Sequence, residues 1–104
     1  MTVDLIYIAG PMAGKENYNS DAFNEREKIL LQQGYKVINP AAIGVAMRLH
    51  RRNIPTSEFM RMDISYLINC SHIYMMRGWR DSKGASLEHE IAKSLDMTII
   101  YEGE

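Results

Sequence analysis

Two carboxylates carry the strongest chemical signal in the chain. Glu88, Ile91, Ala92 and Leu95 fall at i, i+3, i+4 and i+7 of a predicted helix, so Glu88 sits on its apolar face near its start. Glu90 and Lys93 fall on other faces and read as solvated. Acids in a first helical turn also favour the helix dipole without any task, and spacing alone leaves both readings open. Asp63 lies three residues after Met60 and four before Leu67, on the inward edge of a second apolar stripe. Burying an unpaired carboxylate is costly, so Asp63 calls for an ion pair with Arg61, Arg48 or Arg52, or else a task in a site. Two carboxylates converging on one cleft suit cleavage of a glycosidic bond, one acting as nucleophile and the other as acid.

Other residues offer weaker signals. The hydroxyls and free N–H groups of Ser82-Lys83-Gly84-Ala85-Ser86, just ahead of Glu88, suit a phosphate or sugar oxygen, although Ser-x-Gly is also ordinary helix-start chemistry. Gly10-Pro11-Met12-Ala13-Gly14 is neither GxGxxG nor, despite Gly14-Lys15, a GxxxxGK[ST] loop, which argues against a dinucleotide fold fingerprint and against a phosphate-loop NTPase. Trp79, in a loop, reads either as a partial core plug or as a surface for stacking on a base or lining a subunit contact. His50, His72 and His89 lack metal-ligand spacing; His72 is expected to begin a strand and the other two to lie at the surface. Neither metal nor cofactor is expected. Cys70 reads as a small buried hydrophobe at a helix end.

The elements that must position these residues alternate along the chain. Leu5–Ala9 reads as a buried strand ended by Gly10-Pro11, and 10–19 as a loop. A helix runs from an Asn19, Ser20 or Asp21 cap to about Gln33, with Ala22/Ile29 and Phe23/Leu30 one heptad apart and Gly34 as the stop. Tyr35–Asn39 forms a second strand closed by Pro40, and Ala41–Asn53 a helix with a basic surface at Arg48, His50, Arg51 and Arg52. A helix over Ser57–Asn69 follows, with Met60, Ile64, Leu67 and Ile68 on one face. His72–Met76 is a third strand, Arg77–Gly84 a loop, Ala85–Leu95 a helix and Met97–Tyr101 a last strand. Alternation of this kind implies a small, doubly wound, flavodoxin-like or Rossmann-like parallel α/β sheet of about four strands, order 2-1-3-4, with helices on both faces. Ligands of such sheets bind beyond the carboxyl ends of strands one and three, where the loops 10–19 and 77–84 meet.

Composition narrows the classes. The 104 residues fit one domain, and 46% hydrophobic with 24% charged residues is ordinary globular usage. Twelve basic against 13 acidic residues, a net charge of -1, give no footprint for a nucleic acid polymer or an anionic membrane. A single cysteine excludes an internal disulfide, and no apolar run approaches the ~20 residues of a membrane helix. Thr2, Val3 and Asp4 after Met1 show no basic leader, so a cytoplasmic protein is expected. Eight methionines and the small size favour a homodimer or higher homo-oligomer.

Taken together, Tyr7-Ile8-Ala9-Gly10-Pro11, Asp63 with Leu67, Cys70 and Ser71, and Ser82-x-Gly84-x-x-x-Glu88-x-x-x-Ala92 resemble the nucleoside 2-deoxyribosyltransferase superfamily, which includes the 2'-deoxynucleoside 5'-phosphate N-hydrolases. The look is nearest to its small phage and bacterial members, with their Ala-Gly-Pro-Met start and Gly-Trp-x-x-Ser-x-Gly-Ala run, and it extends from Leu5 to Tyr101. The resemblance implies one nucleoside 2-deoxyribosyltransferase-like domain over 1–104, and a cytoplasmic location in the host if the chain is phage-encoded. It implies that Glu88 is the nucleophile at C1' of a 2-deoxyribosyl group, that Tyr7 orients this carboxylate, and that Asp63 positions the sugar and serves the leaving base. Gly10, Pro11, Met12, Trp79, Ser82, Gly84 and Ser86 would supply substrate contacts. Ser82 stands where transferases on free nucleosides carry an acid and the nucleotide hydrolases a phosphate-binding Ser, which favours a 5'-monophosphate.

Two departures accompany the match. Ala13 stands near the place of the phosphate-binding Arg of the nucleotide hydrolases, leaving Lys15 or Lys83 as substitutes, and Glu104 ends the sequence without the segment that completes a neighbour's site in larger members. The expected activity is therefore cleavage of the N-glycosidic bond of a 2'-deoxynucleotide, by hydrolysis or by transfer to a second base. The alternatives are a non-catalytic nucleotide-binding or sequestering module, and cleavage of an NAD-type nucleotide by the same carboxylate.

Overall fold

A computed structural model of the chain describes residues 4–51 and 53–103. The leader reading at Met1, Thr2 and Val3, the place of Arg52 on the basic surface and beside Asp63, and the terminal Glu104 lie outside the described residues.

Strand β1 (Leu5–Ala9) is buried along almost its whole length, and alternation along it sets the architecture. Tyr7 and Ala9 enter one apolar cluster with Leu67, Cys70, Ala85 and Ala92, whereas Ile6 and Ile8 enter another with Phe23, Leu30 and Ala41. Successive strand residues point to opposite faces, so β1 requires a helical layer on each side. Helices α1 (Ser20–Gln32) and α2 (Pro40–Arg48) cover one face, and α3 (Thr56–Leu67) and α4 (Lys83–Ser94) the other. Strands β2 (Lys36–Ile38), β3 (His72–Met75) and β4 (Thr98–Tyr101) complete an all-parallel sheet of order β2-β1-β3-β4. The expected doubly wound α/β fold is the observed one. Among the described residues no helix is long and apolar enough to cross a membrane.

Local chemistry moved several boundaries. Asn39 is not strand but the N-cap of α2: its Oδ1 accepts from the N–H groups of Ala41 (3.0 Å) and Ala42 (3.2 Å), and Pro40 opens the helix at a position where no N–H is needed. The same helix stops at Arg48 rather than Asn53, because the N–H groups of His50 and Arg51 both turn back to the Met47 carbonyl. Helix α4 starts two residues early, capped by Ser82 Oγ accepting from the Ala85 N–H at 3.2 Å. Asn19 precedes α1 without capping it; its side chain instead donates to the Pro11 carbonyl at 3.0 Å. Ile68 and Leu95, placed on apolar faces by spacing, are more than half exposed because each lies just past the end of its helix. His89, expected at the surface, is buried: its Nε2 pairs with the Tyr101 hydroxyl at 2.7 Å and Trp79 covers its ring at 4.2 Å.

Candidate active site

At the carboxyl ends of β1 and β3 the chain must leave the sheet in opposite directions, and a cavity of about 190 Å³ opens there. Gly10 forms part of its wall, and a Cβ on Gly10 would stand 2.9 Å from both Cβ and Sδ of Met76. Only glycine lets the exit of β1 pass this close to the exit of β3. Met12 and Ala13 continue the wall from the same loop, Ser82, Gly84, Ala85 and Glu88 line it from the start of α4, and Met60 and Asp63 from α3.

Tyr7 points from β1 toward α4, where its hydroxyl donates to Oε2 of Glu88. Tyr7 is fully buried, and Glu88 is 6% exposed. Burial pushes the Glu88 carboxyl up to about 8, the Tyr7 hydrogen bond working against that rise and the nearby Asp63 charge adding to it. Burial, and then the Glu88 charge, push the Tyr7 hydroxyl well above its usual value, so it stays a donor. Asp63 is raised to about 7 by burial, with the Arg48 guanidinium pulling the other way. Two acids of one cavity thus titrate near neutrality, and ionising either disfavours ionising the other. A pair of this kind can hold one carboxylate and one acid at the same time, as glycosidic cleavage requires.

The residues singled out by the sequence separate into two groups. Glu88, Asp63, Gly10, Met12, Ser82 and Gly84 all line the cavity, with Tyr7 directly behind Glu88. Pro11, Trp79 and Ser86 do not line it. Pro11 fastens its loop through the Asn19 bond, Ser86 donates to the Trp79 carbonyl at 3.3 Å, and Trp79 packs half-buried against the core cluster, its ring near those of His89 and Tyr101, as the core-plug reading had it. Among the described residues Asp63 makes no ion pair. Arg61 is exposed, so of the described arginines weighed as its partners Arg48 is the one that shares its cavity. Cys70 is buried just beyond the end of α3, and burial pushes its thiol up to about 11, as suits an inert packing residue.

Sequence reasoning missed part of the wall. Tyr18, Pro40, Gly44, Arg48, Thr56 and Phe59 complete the lining of the cavity. Arg48, read as basic surface, is half-buried, with its guanidinium 3.6 Å from the Tyr18 ring centroid and 4.4 Å from that of Phe59. The one local signal was Gly44 four residues earlier, on the same face of α2. Lys15 and Lys83 are both exposed and line no part of the cavity. Among the described residues no three His, Cys, Asp or Glu side chains gather as metal ligands.

No curated protein matches the chain. The family described as "Domain of unknown function (DUF4406)" matches residues 4–101, from the residue before β1 to the last residue of β4, and the chain therefore belongs to that family.

Proposed function

We propose that the protein cleaves the N-glycosidic bond of 2'-deoxynucleoside 5'-monophosphates, with Glu88 as the nucleophile. The observation that carries the reading is the buried Glu88 carboxylate on the cavity wall, held by the Tyr7 hydroxyl and faced by a second acid, Asp63. A Glu88 oxygen forms a bond to C1' as the bond from C1' to the base nitrogen breaks, and the electron pair leaves with the base. Asp63, raised to about 7, carries the proton that the departing base needs. Water then attacks C1' of the glycosyl ester, gives its proton to the Asp63 carboxylate and frees Glu88; a second base in place of water gives transfer. The Tyr7 hydrogen bond favours the ionised form of Glu88 and fixes which oxygen faces the cavity.

Glu88→Gln keeps the shape of the side chain and removes the nucleophile. Base release from a panel of deoxynucleosides and their monophosphates, followed by chromatography with and without acceptor base, is expected to fall by ~10³-fold or more. Unchanged turnover in the variant refutes the mechanism. Tight nucleotide binding by the native protein with no product over long incubation refutes the reaction.

A further inference from the structure

The cavity carries one cation beside its two acids, and the mechanism above uses only the acids. Arg48 is the one cation lining the wall among the described residues, and none of their ion pairs engages it. Its guanidinium packs on the rings of both Tyr18 and Phe59, contacts that use no N–H group and leave those donors for a ligand. An in-plane fork of donors matches two oxygens of one oxyanion.

Two further features belong to this arrangement. Gly44 stands in the middle of α2, where glycine costs roughly 1 kcal/mol against alanine. A Cβ at that position would meet Arg48 Nη1 at 2.9 Å, so the missing side chain is what lets the guanidinium fold back along the helix. Tyr18 sits in left-handed backbone (φ 55) between Asn17 and Asn19, which are left-handed too, an uncommon conformation for an aromatic residue. The loop thus holds a strained segment that sets the ring over Arg48. Behind the clamp a second hollow of about 450 Å³ shares Tyr18, Arg48, Thr56 and Phe59 with the cavity and leaves space for a hydrated phosphate. Arg51, which also faces that hollow, is already paired with Glu58.

We propose that Arg48 is the specificity-determining residue of the site, binding the 5'-phosphate of the substrate through its clamped guanidinium. The assignment rests on the function proposed above and adds the group that selects monophosphate over nucleoside. Arg48 holds the anion in the same cavity that Glu88 lines, which presents the sugar carbon to Glu88.

The test compares deoxynucleoside 5'-monophosphate with deoxynucleoside, and deoxyribose 5-phosphate with deoxyribose, in the native protein, Arg48→Gln, Arg48→Lys and Gly44→Ala. Turnover is read as the ratio of kcat/KM values, and binding by calorimetry. Arg48→Gln is expected to lower the phosphate preference ~30-fold or more, as loss of charged hydrogen bonds does, and Arg48→Lys by ~5-fold, since the charge stays and the fork is lost. Gly44→Ala is expected to hold or raise Tm, as helix propensity dictates, while the preference falls because its Cβ displaces the guanidinium. Full preference in Arg48→Gln or in Gly44→Ala, or equal binding of phosphate and phosphate-free sugar by the native protein, overturns the assignment. Base release that survives in Glu88→Gln refutes Glu88 as the nucleophile alone, and the calorimetric ratios still decide Arg48.

Discussion

Replacing Tyr7 by Phe removes one oxygen from a fully buried site and adds no atom, which makes it the sharpest probe of the acid pair. The lost contact is a hydrogen bond donated to a buried carboxylate. Hydrogen bonds to charged groups are worth ~1.5–3 kcal/mol, and at 1.36 kcal/mol per pKa unit the change amounts to ~1–2 units. The direction follows from the chemistry: donation to Glu88 favours its charged form, so removal moves its pKa upward from about 8. A carboxyl titrating at about 8 is ionised in roughly a tenth of molecules at pH 7, and after the substitution in about 1% or less. The proposed reaction needs the carboxylate, so kcat/KM at pH 7 should fall ~10–100-fold in Tyr7→Phe and recover as pH rises. A pH–rate profile reads this as an upward displacement of the ascending limb by ~1–2 units. A ¹³C titration of the Glu88 carboxyl should show the same displacement without any substrate. A limb and a titration that stay in place in Tyr7→Phe refute the claim that the hydroxyl tunes Glu88, whatever happens to the rate.

Two more expectations follow from the same geometry. In the folded protein Glu88 titrates at about 8 against an ordinary 4.5, so the fold favours its protonated form; that stability is fully present below about pH 4.5 and is lost as pH rises to about 8. Glu88→Gln escapes the loss, so calorimetry should show its Tm advantage over the native protein growing between pH 5 and pH 8.5, and parallel Tm curves would contradict the burial argument. Asn39, 5% exposed, caps α2 and also donates to Asn24 Oδ1 and Glu27 Oε1, both at 2.9 Å. Asn39→Ala should cost ~2 kcal/mol and lower Tm by ~8–16 °C. Because α2 carries Arg48, phosphate binding by Asn39→Ala should weaken as well, and a Tm within 2 °C of native would remove the cap from the account.

How much of the site could be read in the sequence depends on how far apart its parts lie in the chain. Glu88 was legible because its neighbours Ile91 and Ala92 mark the inward face of α4 within one and a half turns. Asp63 was legible for the same reason, between Met60 and Leu67. The sheet order followed from alternation and crossover handedness, which need only the presence of elements and not their exact ends. Arg48 was not legible, because it is the last residue of α2 and no following turn repeats its face. What covers its charge comes from Tyr18, 30 residues earlier, and Phe59, 11 residues later, across two loops whose paths no periodicity encodes. His89 failed in the same way: Tyr101 and Trp79 bury it, and neither lies within a helical turn of it. In this chain the apolar residues announce which acids point inward, whereas the cation that complements those acids is held by aromatic rings distant in the sequence. A glycine that costs helix stability, such as Gly44, was the local trace that such a placement left in the sequence.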